Sequence, residues 1–209
     1  MPPNKGLHLT GPDITSMIDR TFFLVLSLCI PVGVHAQSCG NFPAPGFDGP
    51  EMRHFAGQYR NRNYGFAVTI PEGITGHDAQ DPAPHHGFGV VLSWEPRAYI
   101  DFDGSYNALE LSLRETVAKD LEWLRQDSKR VHSVATKVSK LGPLRARRQI
   151  VYHNCNGHTD TFVDDYMVAL SHDGKITYTA RLMTTASRYR QDRRLFEEFL
   201  RTWKLSNVE

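Results

Sequence analysis

The sequence lacks an excess of charge of either sign. Its 209 residues carry 24 Lys and Arg against 23 Asp and Glu, a formal net charge of +1, which gives no general attraction to nucleic acid or to acidic membranes. With 40% hydrophobic, 11% aromatic and 22% charged residues, the composition argues against disorder. The length suits one domain with a hydrophobic core and an additional tail.

The sequence also lacks the short motifs that mark common enzymes. It contains no Gly-x-Ser-x-Gly, His-Glu-x-x-His or Cys-x-x-Cys pattern, no glycine loop for phosphate and no dinucleotide-binding fingerprint. Catalytic residues need only meet in space, so these absences lower the expectation of an enzyme without excluding one. We therefore predict a non-enzymatic protein that requires no cofactor.

Only one long apolar run is present, and it is too short to span a bilayer. Arg20 precedes this run, residues 22–34, and Ala36 follows it where signal peptidase requires a small residue. The layout predicts that residues 1–36 are a cleaved secretory signal peptide, which would make the protein secreted or periplasmic and bring it to the membrane only transiently. Met17 is an alternative translation start, and an uncleaved anchor is the competing interpretation.

Two cysteines, Cys39 and Cys155, remain after the signal peptide. An even pair in an oxidising compartment predicts one disulfide that ties the N-terminal tail to the middle of the domain. The alternative is a lipid anchor at Cys39, because Ser38 suits the position before a lipid-modified cysteine, although Ala36 and Gln37 fit that motif poorly. Two unpaired thiols would need a reducing compartment, which conflicts with export.

Regular structure is predicted to begin after a connector rich in proline and glycine, residues 37–57. In residues 64–70 large apolar side chains alternate with small ones, which predicts a strand that Pro71 ends. Ser112 and Glu115 form a capping box that predicts the start of a helix. The same patterns predict further strands at 88–94, 99–103, 131–140, 144–154, 162–170 and 175–184, and helices at 113–127 and 189–203.

The order of these elements favours an α+β domain over residues 58–206. Neighbouring strands followed by helices, without strict alternation, indicate an antiparallel sheet covered by helices. Gly65 and Ala67 lie on the small-residue side of the first strand, and this side is expected to pair with the equally small Gly87 and Gly89.

Four segments resemble a known superfamily fold. They are residues 63–71, 145–152, 178–182 and 196–205. They are similar to the fold shared by the PsbP protein of the photosynthetic oxygen-evolving complex and by a Ran-binding nuclear import factor. The resemblance implies an antiparallel sheet between helices, an α/β/α sandwich, that serves as a binding or assembly module without catalysis.

A second hypothesis depends on a loop rich in histidine and aspartate. His77, Asp78, Asp81, His85 and His86 fall within ten residues. Imidazole and carboxylate groups are ligands for zinc or copper, so the loop is a candidate site for a divalent metal. The spacing matches no dedicated metal motif, and a solvated loop of turn-forming residues is the competing interpretation.

Charged residues on three predicted strands form a third candidate. Arg147 or Arg148, Asp164 or Asp165, and Arg181 should lie side by side once the two hairpins form. A spare guanidinium there would suit an anionic ligand, whereas a ladder of alternating charges would only fix the sheet. The residue pattern favours the structural role.

The last predicted helix begins with a group of arginines, which oppose the helix dipole. They are Arg188, Arg190, Arg193 and Arg194. Asp192, Glu197 and Glu198 follow at helical spacing, which favours neutralisation over a docking patch.

Taken together, these features predict an exported binding or assembly module for an unidentified protein or small ligand. The alternative is a metal- or anion-dependent protein, including a hydrolase, that uses residues 77–86.

Overall fold

A computed structural model describes residues 52–79, 87–94, 96–155 and 158–206. The strands within them are β1 (Met52–Phe55), β2 (Gln58–Asn61), β3 (Phe66–Thr69), β4 (Gly76–Ala79), β5 (Phe88–Trp94), β6 (Arg97–Tyr106), β7 (Ser128–Leu141), β8 (Leu144–Cys155), β9 (Thr161–Leu170), β10 (Ile176–Thr185) and β11 (Lys204–Leu205). The helices are α1 (Leu113–Asp127) and α2 (Tyr189–Thr202).

Eight of these strands form one antiparallel sheet in the order β1-β4-β5-β6-β10-β9-β8-β7. The two predicted hairpins, β7 with β8 and β9 with β10, are both present and form one half of the sheet. Gly142 and Gly174 lie in their turns with φ of 53° and 75°, a conformation that favours glycine. The long strand β7 is the terminal strand of this half.

Helices cover both faces of the large sheet. On one face, Phe196 and Phe199 of α2 pack with Phe102 of β6 and Met167 of β9 in the main hydrophobic core. On the other face, α1 packs on Tyr166 and Val168 of β9, together with Val151 of β8. Consecutive residues of a strand point to opposite faces, so β9 supplies Met167 to one core and its neighbours to the other. The structure confirms the predicted α+β sandwich.

Helix α1 begins at the predicted capping box. The Ser112 hydroxyl accepts a hydrogen bond from the backbone N–H of Glu115 at 3.4 Å, and the Glu115 carboxylate accepts one from the backbone N–H of Ser112 at 2.8 Å. Both bonds satisfy donors that have no partner within the first turn. The helix follows the predicted bounds, residues 113–127.

The opening strand has a different partner from the predicted one. β3 pairs with β2 and β11 in a separate three-stranded sheet, so its small residues do not meet Gly87 or Gly89. Phe66 of β3 instead stacks on Trp203 at the end of α2, with ring centroids 6.2 Å apart. Gly87 is required for another reason, because a Cβ atom there would lie 1.7 Å from the carbonyl oxygen of Phe102. The alternation of large and small side chains identified the strand, but it could not predict which sheet the strand joins.

Two short strands lie where the sequence predicted a connector and a loop. β1 and β4 pair with each other, with His54 opposite His77, and extend the large sheet beyond β5. Neither segment has the alternation of large and small side chains that identified the other strands.

Several predictions concern residues outside the described ranges. The signal peptide, Met17 and Cys39 fall in residues 1–51, and Asp81, His85 and His86 fall in residues 80–86. These assignments and the domain boundaries remain predictions. Neither described helix combines the length and apolarity needed to cross a bilayer.

Candidate functional site

The predicted arginine–aspartate ladder is divided between the two faces of the sheet. Asp164 and Asp165 are consecutive in β9, so their carboxylates point in opposite directions. Asp165 pairs with Arg148 of β8, and Asp164 pairs with Arg181 of β10. The residues therefore form two separate clusters, one beneath α2 and the other on the face of α1.

The Arg148 cluster comprises Arg148, Asp165, Tyr189 and Glu197. Arg148 donates two hydrogen bonds to the Asp165 carboxylate, at 2.6 and 2.7 Å, and a third to Glu197 at 2.6 Å. The Tyr189 hydroxyl also donates to Asp165 at 2.6 Å. Burial opposes the charge of the guanidinium, but the bonds to Asp165 and Glu197 raise the pKa of Arg148 above its ordinary value. Arg148 is 3% exposed and Asp165 is fully buried. The bonds from this pair to Tyr189 and Glu197 therefore hold α2 against the sheet.

The Arg181 cluster comprises Asp101, Asp120, Asp164 and Arg181. Arg181 donates two hydrogen bonds to Asp164, at 2.5 and 2.7 Å, and its side chain is 27% exposed. Asp101 lies directly opposite Arg181 on β6, and Asp120 of α1 interacts with Arg181 electrostatically. The buried imidazole of His153 approaches Asp164 to 3.5 Å. One guanidinium is thus surrounded by carboxylates from three elements.

The carboxylates of the Arg181 cluster differ in acidity. Burial raises the pKa of Asp101 to about 7, with the charge of Asp103 acting in the same direction. Burial also raises the pKa of Asp120 to about 6, against the opposing charges of Arg181 and Lys119. Asp164 is buried too, yet the charge and hydrogen bonds of Arg181 hold its pKa well below the ordinary range. Asp101 and Asp120, the two half-buried carboxylates of the cluster, therefore change charge near neutral pH.

His77 and Asp78 of the predicted metal loop lie in the described part of the chain, both in β4. The His77 ring lies edge-on to that of His54 with the centroids 4.8 Å apart, because the two residues are cross-strand partners in β1 and β4. Sequence reasoning missed His54, since nothing in its segment indicated a strand. Across the described residues, no three His, Cys, Asp or Glu side chains are grouped closely enough to hold a metal ion.

The arginines at the start of α2 are partly neutralised, as predicted. Arg188 pairs with Asp192 at 3.1 Å and Arg193 pairs with Glu197 at 3.4 Å, both with helical i, i+4 spacing. Arg190 and Arg194 are exposed on the helix surface.

A larger group of positive charges lies on the hairpin of β7 and β8, which we call the basic hairpin. Residues 128–159 contain no Asp or Glu at all, although they carry seven Lys and Arg. Arg148 belongs to its buried cluster, and the other six show no ion pair in the part of the chain that the structure describes. They are Lys129, Arg130, Lys137, Lys140, Arg145 and Arg147.

The basic hairpin also brings like charges together at the edge of the sheet. Lys140 lies directly opposite Arg145 in the register of β7 and β8. Like charges in this position repel each other and destabilise a strand pair. Val138, two residues before Lys140, is 63% exposed, and Val134 further along β7 is 37% exposed. Of the predicted ligand-binding residues, only Arg147 belongs to this surface.

Comparison with known proteins identifies the fold. No protein-family model matches the sequence, and no curated protein matches it either. The solution structure of cyanobacterial PsbP from Synechocystis sp. PCC 6803 matches with a TM-score of 0.52 and 13% identity, covering 79% of this chain and 99% of that protein. LpqN of Mycobacterium tuberculosis, described as involved in cell envelope biogenesis, matches with a TM-score of 0.48 and 10% identity over 75% of this chain and 92% of LpqN. PA94 of Pseudomonas aeruginosa, described as a putative regulator of unknown function, matches with a TM-score of 0.46 and 9% identity. This match covers 66% of this chain and 94% of PA94.

The similarity to cyanobacterial PsbP shows the fold alone. The match to cyanobacterial PsbP confirms the PsbP-like fold that the sequence predicted. At these identities a shared fold does not transfer a ligand or an activity, so function has to be argued from the surface of this chain.

Proposed function

We propose that the protein is an exported, non-catalytic binding or assembly module that contacts an anionic partner through the basic hairpin. The observation that carries the proposal is the uncompensated charge of β7 and β8, where no carboxylate occurs from residue 128 to residue 159. The whole chain carries 23 Asp and Glu, so acidic residues are abundant elsewhere in the sequence and absent from this stretch.

The two buried clusters support this choice of surface. Arg148 engages three of its nitrogens with carboxylates and is nearly inaccessible, so an incoming anion would have to displace Asp165 or Glu197. Arg181 is held by Asp164, and the further carboxylates around it repel an anion. The exposed lysines and arginines of the hairpin have no such competitor among the described residues.

Electrostatic complementarity of this kind speeds association and selects partners more than it adds affinity. It also predicts strong sensitivity to salt, because exposed charges are screened at physiological ionic strength. A binding or assembly module with such a surface would recognise a partner of opposite charge without chemical change to either molecule.

The test is a titration of the purified protein with poly-L-glutamate at low and physiological salt. The triple variant Lys137→Glu/Lys140→Glu/Arg145→Glu should bind at least about tenfold more weakly than the unmodified protein. The control Arg190→Glu/Arg194→Glu/Arg201→Glu makes the same change of charge on exposed positions of α2 and should bind about as well as the unmodified protein. Equal losses in both variants would show a diffuse effect of net charge and would refute the hairpin as the site.

A second candidate function is the binding of a divalent metal at His54 and His77. The adjacent imidazoles of β1 and β4 favour it, because two neighbouring strands hold two good ligands side by side. The predicted residues Asp81, His85 and His86 would complete the site. Calorimetric titration with Zn²⁺ tests it: a metal site requires stoichiometric binding that is lost in His54→Ala and retained in His172→Ala, which changes an exposed histidine in the β9–β10 turn. Absence of stoichiometric binding would remove this candidate.

A further inference from the structure

We infer that the partner of the basic hairpin is an extended acidic polypeptide segment that adds to β7 as a further strand of the large sheet. This inference rests on the proposed function, since it names the form of the anionic partner that the hairpin binds.

The first support is the position and regularity of β7. It is the terminal strand of the eight-stranded order, so half of its backbone N–H and C=O groups face away from β8. Irregularities in its pairing with β8 are confined to its beginning, between Ser128 and Arg130 and between Val131 and Ser133. Beyond them the register is continuous to Leu141. Residues 133–141 therefore offer a regular edge on which an added strand can form backbone hydrogen bonds.

The second support is the distribution of charge around this edge. Lys137 lies opposite Arg148, whose side chain is on the α2 face, whereas Lys140 lies opposite Arg145 on the face that carries α1. An added strand also projects side chains to both faces, so acidic residues along it can meet both lysines. Exposed Val134 and Val138 add apolar contacts for the same strand.

Two other occupants fit this edge less well. A membrane surface attracts the lysines but supplies no regular row of backbone donors and acceptors to pair with β7. A second copy of β7 would bring lysines close to lysines, which is unfavourable between neighbouring strands. Lysines on an edge strand in fact discourage pairing between copies, and an acidic segment is the occupant that turns this repulsion into attraction.

The experiment uses the purified protein, two synthetic peptides and one kind of vesicle. Both peptides are as long as residues 133–141 and repeat the unit Glu-Glu-Thr-Val, so acidic side chains project to both faces of the added strand. The second peptide is N-methylated at every other residue, which keeps its charge and removes the backbone donors of one edge. The vesicles contain equal parts of phosphatidylcholine and phosphatidylglycerol.

We expect the unmethylated peptide to bind at least about tenfold more tightly than its methylated counterpart, because only the former can complete the ladder with β7. Binding should slow hydrogen exchange at alternate amides of residues 133–141. The variant Lys137→Glu/Lys140→Glu should lose the interaction, and Arg190→Glu/Arg194→Glu on α2 should retain it.

The alternatives give different results. Equal affinity for the two peptides, lost together in Lys137→Glu/Lys140→Glu, would overturn strand addition and leave the basic hairpin as a charged binding surface. Binding of vesicles without binding of either peptide would also overturn it and identify the anionic partner as a membrane. Failure of both peptides and the vesicles to bind, or binding indifferent to the hairpin variant, would contradict strand addition and the proposed function together.

Discussion

Lys140 and Arg145 lie directly opposite each other at the exposed end of the basic hairpin, and residues 128–159 supply no carboxylate to separate their charges. A strand pair gains stability from opposite charges in this position and loses it from like charges. The arrangement therefore costs the fold a small amount of stability. A partner that brings negative charge to this position would relieve that cost.

Reversing one of these charges should separate stability from binding. Lys140→Glu creates a cross-strand pair with Arg145 and is expected to raise the free energy of unfolding by about 0.5 to 1 kcal/mol. The same variant should bind poly-L-glutamate more weakly. Chemical denaturation and the titration measure the two effects, and Lys140→Gln should give a smaller gain in stability. A loss of stability in Lys140→Glu would show that the two side chains do not repel each other.

The Arg148 cluster should be essential for the fold. Arg148→Met leaves the fully buried Asp165 without its counter-ion and is expected to cost about 3 to 5 kcal/mol in the free energy of unfolding. Arg147→Met, one residue earlier on the opposite face of β8, removes an arginine that has no ion pair among the described residues. It should change stability by less than about 0.5 kcal/mol. Urea denaturation of both variants tests this contrast, which equal losses would refute.

The Arg181 cluster should make stability depend on pH through Asp101. Its folded-state pKa of about 7 exceeds the ordinary value of 3.8, so the folded state binds a proton more tightly than the unfolded state does. Its stabilising contribution is fully present below about pH 4 and is lost as the pH rises through 7. Asp101→Asn should therefore be more stable than the unmodified protein at pH 8, by about 1 to 2 kcal/mol because the side chain is only half-buried, and no more stable at pH 4.

Thermal denaturation between pH 4 and pH 8 measures this difference. Asp173→Asn is a control of opposite sign, since hydrogen bonds from Ser171 and from the backbone of Lys175 lower the pKa of the Asp173 carboxyl. Because the lowered pKa lies below 3.8, the scan of that variant extends down to about pH 2. Asp173→Asn should lose stability relative to the unmodified protein as the pH rises to about 5, and the difference should stay nearly constant above that. Parallel curves for Asp101→Asn and the unmodified protein over the whole range would contradict the assignment of a raised pKa to Asp101.

The predicted export and disulfide can be tested in one experiment. Mass spectrometry of exported protein should find an N-terminus at Gln37, and peptide mapping without reduction should find Cys39 linked to Cys155. Such a bond closes a long loop and would contribute about 4 to 5 kcal/mol at most. Retention of residues 17–36 would refute the signal peptide, and free thiols at both cysteines would refute the disulfide. A lipid mass on Cys39 would instead identify an anchor.

Much of the fold could be predicted from the sequence because local chemistry determined it. The capping box of Ser112 and Glu115, the alternation along β9 and the apolar spacing of α2 all depend on neighbours within a few residues. The sheet to which β3 belongs was not predicted, because its partner β2 has the composition of a polar turn and its other partner β11 lies more than a hundred residues away. Short β1 and β4 carry no periodic signal, so their pairing and the meeting of His54 with His77 were missed.

The candidate surface shows the same limit. Sequence reasoning placed Arg148, Arg181 and their aspartates on neighbouring strands, which the structure confirms. It could not separate Asp164 from Asp165 between the two faces, because that requires knowing which face each helix covers. The absence of acidic residues from 128 to 159 was visible in the sequence, but its meaning depended on β7 being the edge of the sheet.

The central claim, that the basic hairpin is the binding surface, is tested most directly by mapping backbone amide shifts in an NMR titration with the unmethylated acidic peptide. We expect the shifts to concentrate in residues 128–155 and to be largest along residues 133–141, with α2 and the surroundings of Arg181 unaffected. Shifts centred on the exposed Arg190 and Arg194 of α2, or on Asp101 and Arg181, would contradict the claim.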